Sequence, residues 1–201
     1  VTGVDTDSGS VALTATTGNL AVVNTAATND IEATTTIALT ATADNAVITI
    51  DSTADVESTG GAHTYTADDI LITGTITASG QSVTLKSSTS SDAIILGVAA
   101  NGTADTLQFT NAELQSIAAT TLTIGASGAG AITISGDVTP GSGSGGNVAT
   151  VALITGSTIT ATSAGIIETN LALTAGGAVN FTDSATDVDN LAVSAASQTV
   201  T

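Results

Sequence analysis

The sequence predicts an all-β chain wound as a right-handed parallel β-helix, a β-solenoid of about nine rungs. The phrase VALTA at 11–15 returns as IALTA at 37–41 and LALTA at 171–175, with VALIT at 151–155 and LAVSA at 191–195 as close relatives. The second copy starts 26 residues after the first, and the last three start 20 residues apart. A unit that short holds two or three strands and their turns, but hardly a helix as well. Hydrophobic residues make up 42% of the chain and aromatics only 1%. Uniform small and β-branched side chains suit a narrow, regular interior better than an irregular globular core.

The elements follow in order. The first rung holds VALTA (11–15), a TTGN turn, LAVVN (20–24) and IEA (31–33). The second holds IALTATA (37–43), an Asp44-Asn45 turn, AVITI (46–50) and VES (56–58). The third holds HTYTA (63–67), an Asp68-Asp69 turn, ILITG (70–74) and ITA (76–78). This shared order gives three faces per rung, the layout of a right-handed parallel β-helix. Alternation puts Ala46, Ile48 and Ile50 on one side of their strand and Val47 and Thr49 on the other. Ile70 and Ile72 read as inward and Leu71 as outward. Asx and Gly turns join the strands, and the single proline, Pro140, leaves the ladders uninterrupted.

Beyond residue 80 the rhythm loosens. SVTLKS (82–87) and AIILGVA (93–99) read as strands, and LQFTNAELQSIAA (107–119) as a distorted rung, although Leu114 and Ile117 also fit a helical turn. TLTIG (121–125) and AITIS (131–135) resume the pattern, and GDVTPGSGSGGN (136–147) reads as a Gly/Ser-rich loop excursion. Residues 1–201 are expected to form one solenoid segment.

The net charge is −17, from 18 acidic residues and a single Lys86, with no arginine. Nucleic acid and anionic lipid both demand Lys and Arg, so neither is an expected partner. Calcium, which prefers carboxylate and carbonyl oxygen, is the cofactor such a surface would take if it takes any. No cysteine is present, which excludes disulfides, thiolate metal sites and Cys nucleophiles. No apolar run approaches the ~20 residues of a membrane helix.

FTNAELQSIAATTLTIGASGAGAITISGDVT (109–139) and IIETNLALTAGGAVNF (166–181) resemble the repeat region of large bacterial exoproteins of the filamentous haemagglutinin type. The matching positions are Asn111, Ala112, Glu113, Leu114, Ile117, Ala119, Thr121, Leu122, Ile124 and Gly125. Gly130, Ile132, Ile134 and Gly136 follow, then Gly165, Ile167, Asn170, Leu171, Leu173, Ala175, Gly176 and Gly177. The resemblance implies a right-handed parallel β-helix, export through a two-partner secretion pore and display at the cell surface. It implies no binding specificity, because neither a secretion domain nor an adhesive domain is recognisable.

Candidate chemistry is sparse. Asp5-Thr6-Asp7-Ser8-Gly9 echoes the start of a calcium loop but lacks the distal bidentate glutamate. Asp187 and Asp189, with Asp183 and Asn190, form a second acidic turn, and Asp68-Asp69 a third. Asn101-Gly102-Thr103 and Asn180-Phe181-Thr182 are glycosylation sequons. Thr-x-Thr triplets at 14–16, 40–42, 64–66 and 158–160 suggest an ice-binding array, though they do not recur on every rung. His63 has no evident catalytic partner and reads as an exposed strand residue. A lyase for acidic sugars would want Arg and Lys, and sugar platforms want aromatics, so no enzyme is expected. The expected role is a structural or adhesive segment of a secreted bacterial surface fibre. Alternatives are a self-assembling filament or sheath subunit, or an ice- or calcium-binding solenoid module. Further rungs of the same fibre or other copies end to end are the expected partners, with a host or surface receptor beyond them.

Overall fold

The computed structural model describes residues 1, 3–24, 30–102, 105–142 and 147–200. Strands dominate, in the order β1 (Val4–Thr6), β2 (Val11–Ala15), β3 (Leu20–Val22), β4 (Ile31–Ala33), β5 (Ile37–Ala41), β6 (Val47–Ile50), β7 (Asp55–Ser58), β8 (His63–Thr66) and β9 (Asp69–Ile72). There follow β10 (Thr75–Lys86), β11 (Ala93–Leu96), β12 (Thr106–Phe109), the one-turn helix α1 (Asn111–Gln115) and β13 (Ile117–Gly125). Last come β14 (Ile132–Ile134), a 3-10 turn at Pro140–Ser142, β15 (Asn147–Thr155), β16 (Ile159–Ala161), β17 (Ile167–Phe181) and β18 (Asp187–Val200).

All the registered pairings among the described residues are parallel, and from β1 to β8 each strand pairs with one a coil later. One ladder runs β1–β4–β7–β10–β13–β15, and a second β2–β5–β8–β10–β13–β15–β17–β18. A third holds β3–β6–β9 and resumes as β12–β11–β14–β16–β17. The architecture is thus mostly β-strand with parallel pairing, compatible with an all-β parallel solenoid. The long strands β10, β13, β15, β17 and β18 each run through more than one ladder, turning a corner without leaving strand.

The core is a set of side-chain columns. Leu13, Leu39, Tyr65, Leu85, Ile124, Leu153, Leu173 and Val193 stack along the second ladder. Val4, Ile31, Val56, Ile76 and Ile117 stack along the first. Apart from Val4, Leu13 and Val193, which are partly buried, these residues are buried. Each buried Ile, Leu or Val contributes about 1.5–3 kcal/mol. Ala46, Ile48 and Ile50 face in while Val47 and Thr49 face out, and Ile70, Leu71 and Ile72 alternate as the sequence indicates.

The stretch read as a distorted rung does more than distort. β12 pairs with β11 and lies against β9, so the third ladder takes the later strand before the earlier one. The chain doubles back after β11, inserts β12, and returns through α1 to β13. Thr110 caps α1: its side chain accepts from the Glu113 amide while the Glu113 carboxylate accepts from the Thr110 amide. This reciprocal cap makes so short a helix persist.

Much of the expected loop at 136–147 is packed. Val138 is buried and bridges Ile166 in parallel, and the Thr139 amide donates to Asn111 Oδ1 at 2.8 Å. Gly97 and Gly136 touch backbone to backbone, where a Cβ on Gly97 would lie 2.0 Å from the Gly136 oxygen. Residues 143–146 of that loop lie outside the described residues.

Candidate functional site

Where strands of successive coils turn, their acidic residues stack. Asp44 lies in the turn between β5 and β6, Asp68 in the turn between β8 and β9, and Asp105 just before β12. A carboxylate oxygen from each lies within 4.8 Å of the other two. Asp68 is buried and organises the turns: Oδ2 accepts from the Asn45 amide at 2.8 Å, and Oδ1 from Ser88 Oγ and from Thr89 Oγ1 at 3.1 Å. Asn45 and Asp105 both sit at φ 59, a conformation in which Asn and Asp are enriched. Three carboxylates together match the donor type calcium takes, although it requires six to eight oxygens. The hydroxyls and amide on Asp68 already occupy part of that capacity. The Asp44-Asn45 and Asp68-Asp69 turns were legible in sequence. Asp105 was not, because the exchange of β11 and β12 is what brings it there.

The other acidic candidates lie apart. Asp5 and Asp7 are exposed at β1, and Asp187 and Asp189 are exposed on β18, at the opposite end of the ladders. Asp5 aligns with Glu32, and Glu32 with Glu57, giving an outward column of carboxylates on successive coils. Asp187 and Asp189 line an open groove of about 600 Å³ with Glu168 and Asn170. Glu168 is buried beneath that groove; its Oε2 accepts from the Gly141 amide at 2.9 Å and its Oε1 from the Thr169 amide at 3.2 Å. Asp183 closes its own turn by accepting from the Ala185 and Thr186 amides.

The two sequon asparagines differ in access. Asn180 lies on an outward strand position, opposite Thr160 and Thr199. Asn101 Nδ2 donates to the Ile70 oxygen and to Glu113 Oε1, both at 3.0 Å, so a sugar replacing one of its two hydrogens would remove one of these bonds. Thr103 of this sequon is outside the described residues. Glu113 is the hub here, and its signal in sequence was the Thr110-x-x-Glu113 capping box. Nearby Asp69 has its pKa raised to about 6, chiefly by burial, with the Glu113 charge adding and hydrogen bonds from the Ile70 and Gln108 amides opposing.

His63 is not the exposed strand residue the sequence suggested; it is fully buried. The reason is the strand period: Tyr65 faces inward, so His63 two residues before it faces inward too. Its Nε2 lies 2.8 Å from Ser58 Oγ and its Nδ1 3.1 Å from Tyr65 Oη. A Ser–His contact suggests a nucleophile and its base, but Ser58, His63 and Tyr65 are all at 0% exposure and present nothing to a substrate.

Of the Thr-x-Thr triplets, only Thr64 and Thr66 lie within one strand. Ala38 and Thr84 flank Thr64 in the ladder, and Thr40 and Lys86 flank Thr66. Ala38 and Lys86 therefore interrupt any flat threonine plane. Compared with family models, with curated proteins and with solved structures, the chain matches none.

Proposed function

We propose that the chain is a non-catalytic structural and adhesive segment of a secreted bacterial surface fibre, wound as a right-handed parallel β-helix. The observation that carries the reading is the unbroken second ladder, whose parallel register persists from β2 to β18. Stacking of this kind makes an element whose length scales with the number of coils, which suits a rod that projects from a surface. The resemblance of 109–139 and 166–181 to filamentous haemagglutinin-type exoproteins supports the same role and an extracellular location. A chain with 18 acidic residues and one lysine, most of the acids outside the core, keeps such a rod soluble and resists trypsin-like proteases. β18 pairs with β17 on one side, and a further parallel coil of the fibre, or of another copy, is the partner its other edge accepts. Immunogold electron microscopy with antibodies to this chain tests the reading. Labelled fibres on intact cells are expected, and label confined to the cytoplasm overturns it.

The Asp44, Asp68 and Asp105 cluster favours a second reading, in which calcium is held on the turn stack. Calorimetric titration of the intact chain with Ca²⁺, beside Asp105→Asn, tests it. Equal heats from both proteins would remove this site.

A further inference from the structure

We propose that Ser58, His63 and Tyr65 form an acid-operated release where the second coil passes into the third, closed only while the His63 ring carries its one proton on Nε2. Partners fix that proton's place. Ser58 Oγ donates its own hydrogen to the Gly61 oxygen, so toward His63 it can only accept, and Nε2 must be the protonated nitrogen. Nδ1 is then a lone pair, and Tyr65 Oη donates to it. Three hydrogens thus run in one direction from Tyr65 to Gly61, and the chain is complete without a charge.

A second proton, on Nδ1, turns that acceptor into a donor facing the Tyr65 hydroxyl. The hydroxyl hydrogen must then turn away into an apolar column, since Tyr65 stacks between Leu39 and Leu85. Among the described residues, no neighbour compensates the charge. His63 stacks between Ile37 and Val83, and Ser58 between Ala33 and Ala78. Of the charged groups on the packed elements, Asp55 and Glu57 on β7 and Lys86 on β10 occupy the outward-alternating positions of their strands. β5 carries no ionisable residue, and on β8 itself Tyr65 is the other titratable group. An imidazolium here is an unpaired buried charge, and hydrating it requires opening the 59–62 turn between β7 and β8.

Burial lowers the His63 pKa to about 4. An opened ring takes its proton near 6.5, the closed ring only near 4. The closed coil is therefore fully favoured above pH 6.5, loses ground as the pH falls toward 4, and changes no further below that. The closing equilibrium weakens by roughly two orders of magnitude across this window.

His63 is the sole histidine, so ¹⁵N NMR of the intact labelled chain reads its ring without ambiguity. A neutral, Nε2-protonated ring that persists at pH 5.5 is expected. A ring that titrates near 6.5 in the folded chain, or that carries its proton on Nδ1, overturns the proposal. His63→Gln can accept from Tyr65 and donate to Ser58 without titrating. Its urea midpoint is expected to lose less than the parent's between pH 7 and 4.5, with the carboxylates common to both cancelling. Parallel losses would overturn the release. If the variant does not fold, the ring spectrum alone decides.

Discussion

The Glu113 carboxylate accepts the backbone N–H of Ile72, 41 residues earlier in the chain, at 3.1 Å. The same side chain accepts from Asn101 Nδ2 at 3.0 Å and from the Thr110 amide and hydroxyl at 2.8 and 2.9 Å. One buried residue therefore caps α1, holds β9 and anchors the segment that doubles back. Glu113→Ala leaves several buried donors without an acceptor and is expected to cost about 3 kcal/mol or more. Glu113→Gln, which keeps one acceptor oxygen, should fall between it and the parent. Urea unfolding measures both, and an unchanged midpoint for the alanine variant would show that the knot stabilises nothing.

Gly97 separates two costs of adding a methyl group. At φ 76 its Cβ would lie 2.0 Å from the Gly136 oxygen, whereas Gly18, at φ 88, has nothing within 4 Å. Gly18→Ala is expected to cost about 1 kcal/mol from backbone conformation alone. Gly97→Ala should cost well over twice that, because two backbones must part. Equal shifts in thermal midpoint would contradict the close approach.

Ile132 is fully buried between Ile94 and Ile159 in the third ladder. Ile132→Asp places a charge where no partner exists and is expected to unfold the adjoining coils. Ile132→Val should cost about 1 kcal/mol. Circular dichroism followed through heating distinguishes them, and an unaltered transition for the aspartate variant would mean that the position faces solvent.

Glu57 stands in register with Glu32 on the outer face of the first ladder. Like charges on paired strands repel, so Glu57→Gln is expected to stabilise the protein by about 0.5 kcal/mol at low salt. Screening should erase that gain by ~1 M salt. Urea titrations at both ionic strengths measure it; a gain that persists at high salt would point to packing instead of charge.

The coil architecture was legible because stacking makes each rung repeat its neighbour's chemistry. VALTA, IALTA and LALTA carry one alternation, and in the structure Leu13, Leu39 and Leu173 share one column. Strand period alone set Ile48 and Ile50 on the side opposite Val47 and Thr49, and Ile70 and Ile72 inward. The same period, applied to HTYT, would have placed His63 inside; polarity pointed outward, and Ser58, which pairs its ring, comes from a neighbouring strand.

By itself the sequence determined the strand-and-turn alphabet, the uniform aliphatic interior and the acidic surface, since each is a local or compositional property. The tertiary structure alone decided which turns meet. The exchange of β11 and β12 in the third ladder, the arrival of Asp105 beside Asp44 and Asp68, and the reach of Glu113 to Ile72 depend on contacts between residues far apart in the chain. Periodicity specifies how a strand faces its core, but not which strand lies above it. That order is set by backbone pairing and by the few buried polar groups that must find partners when the coils close.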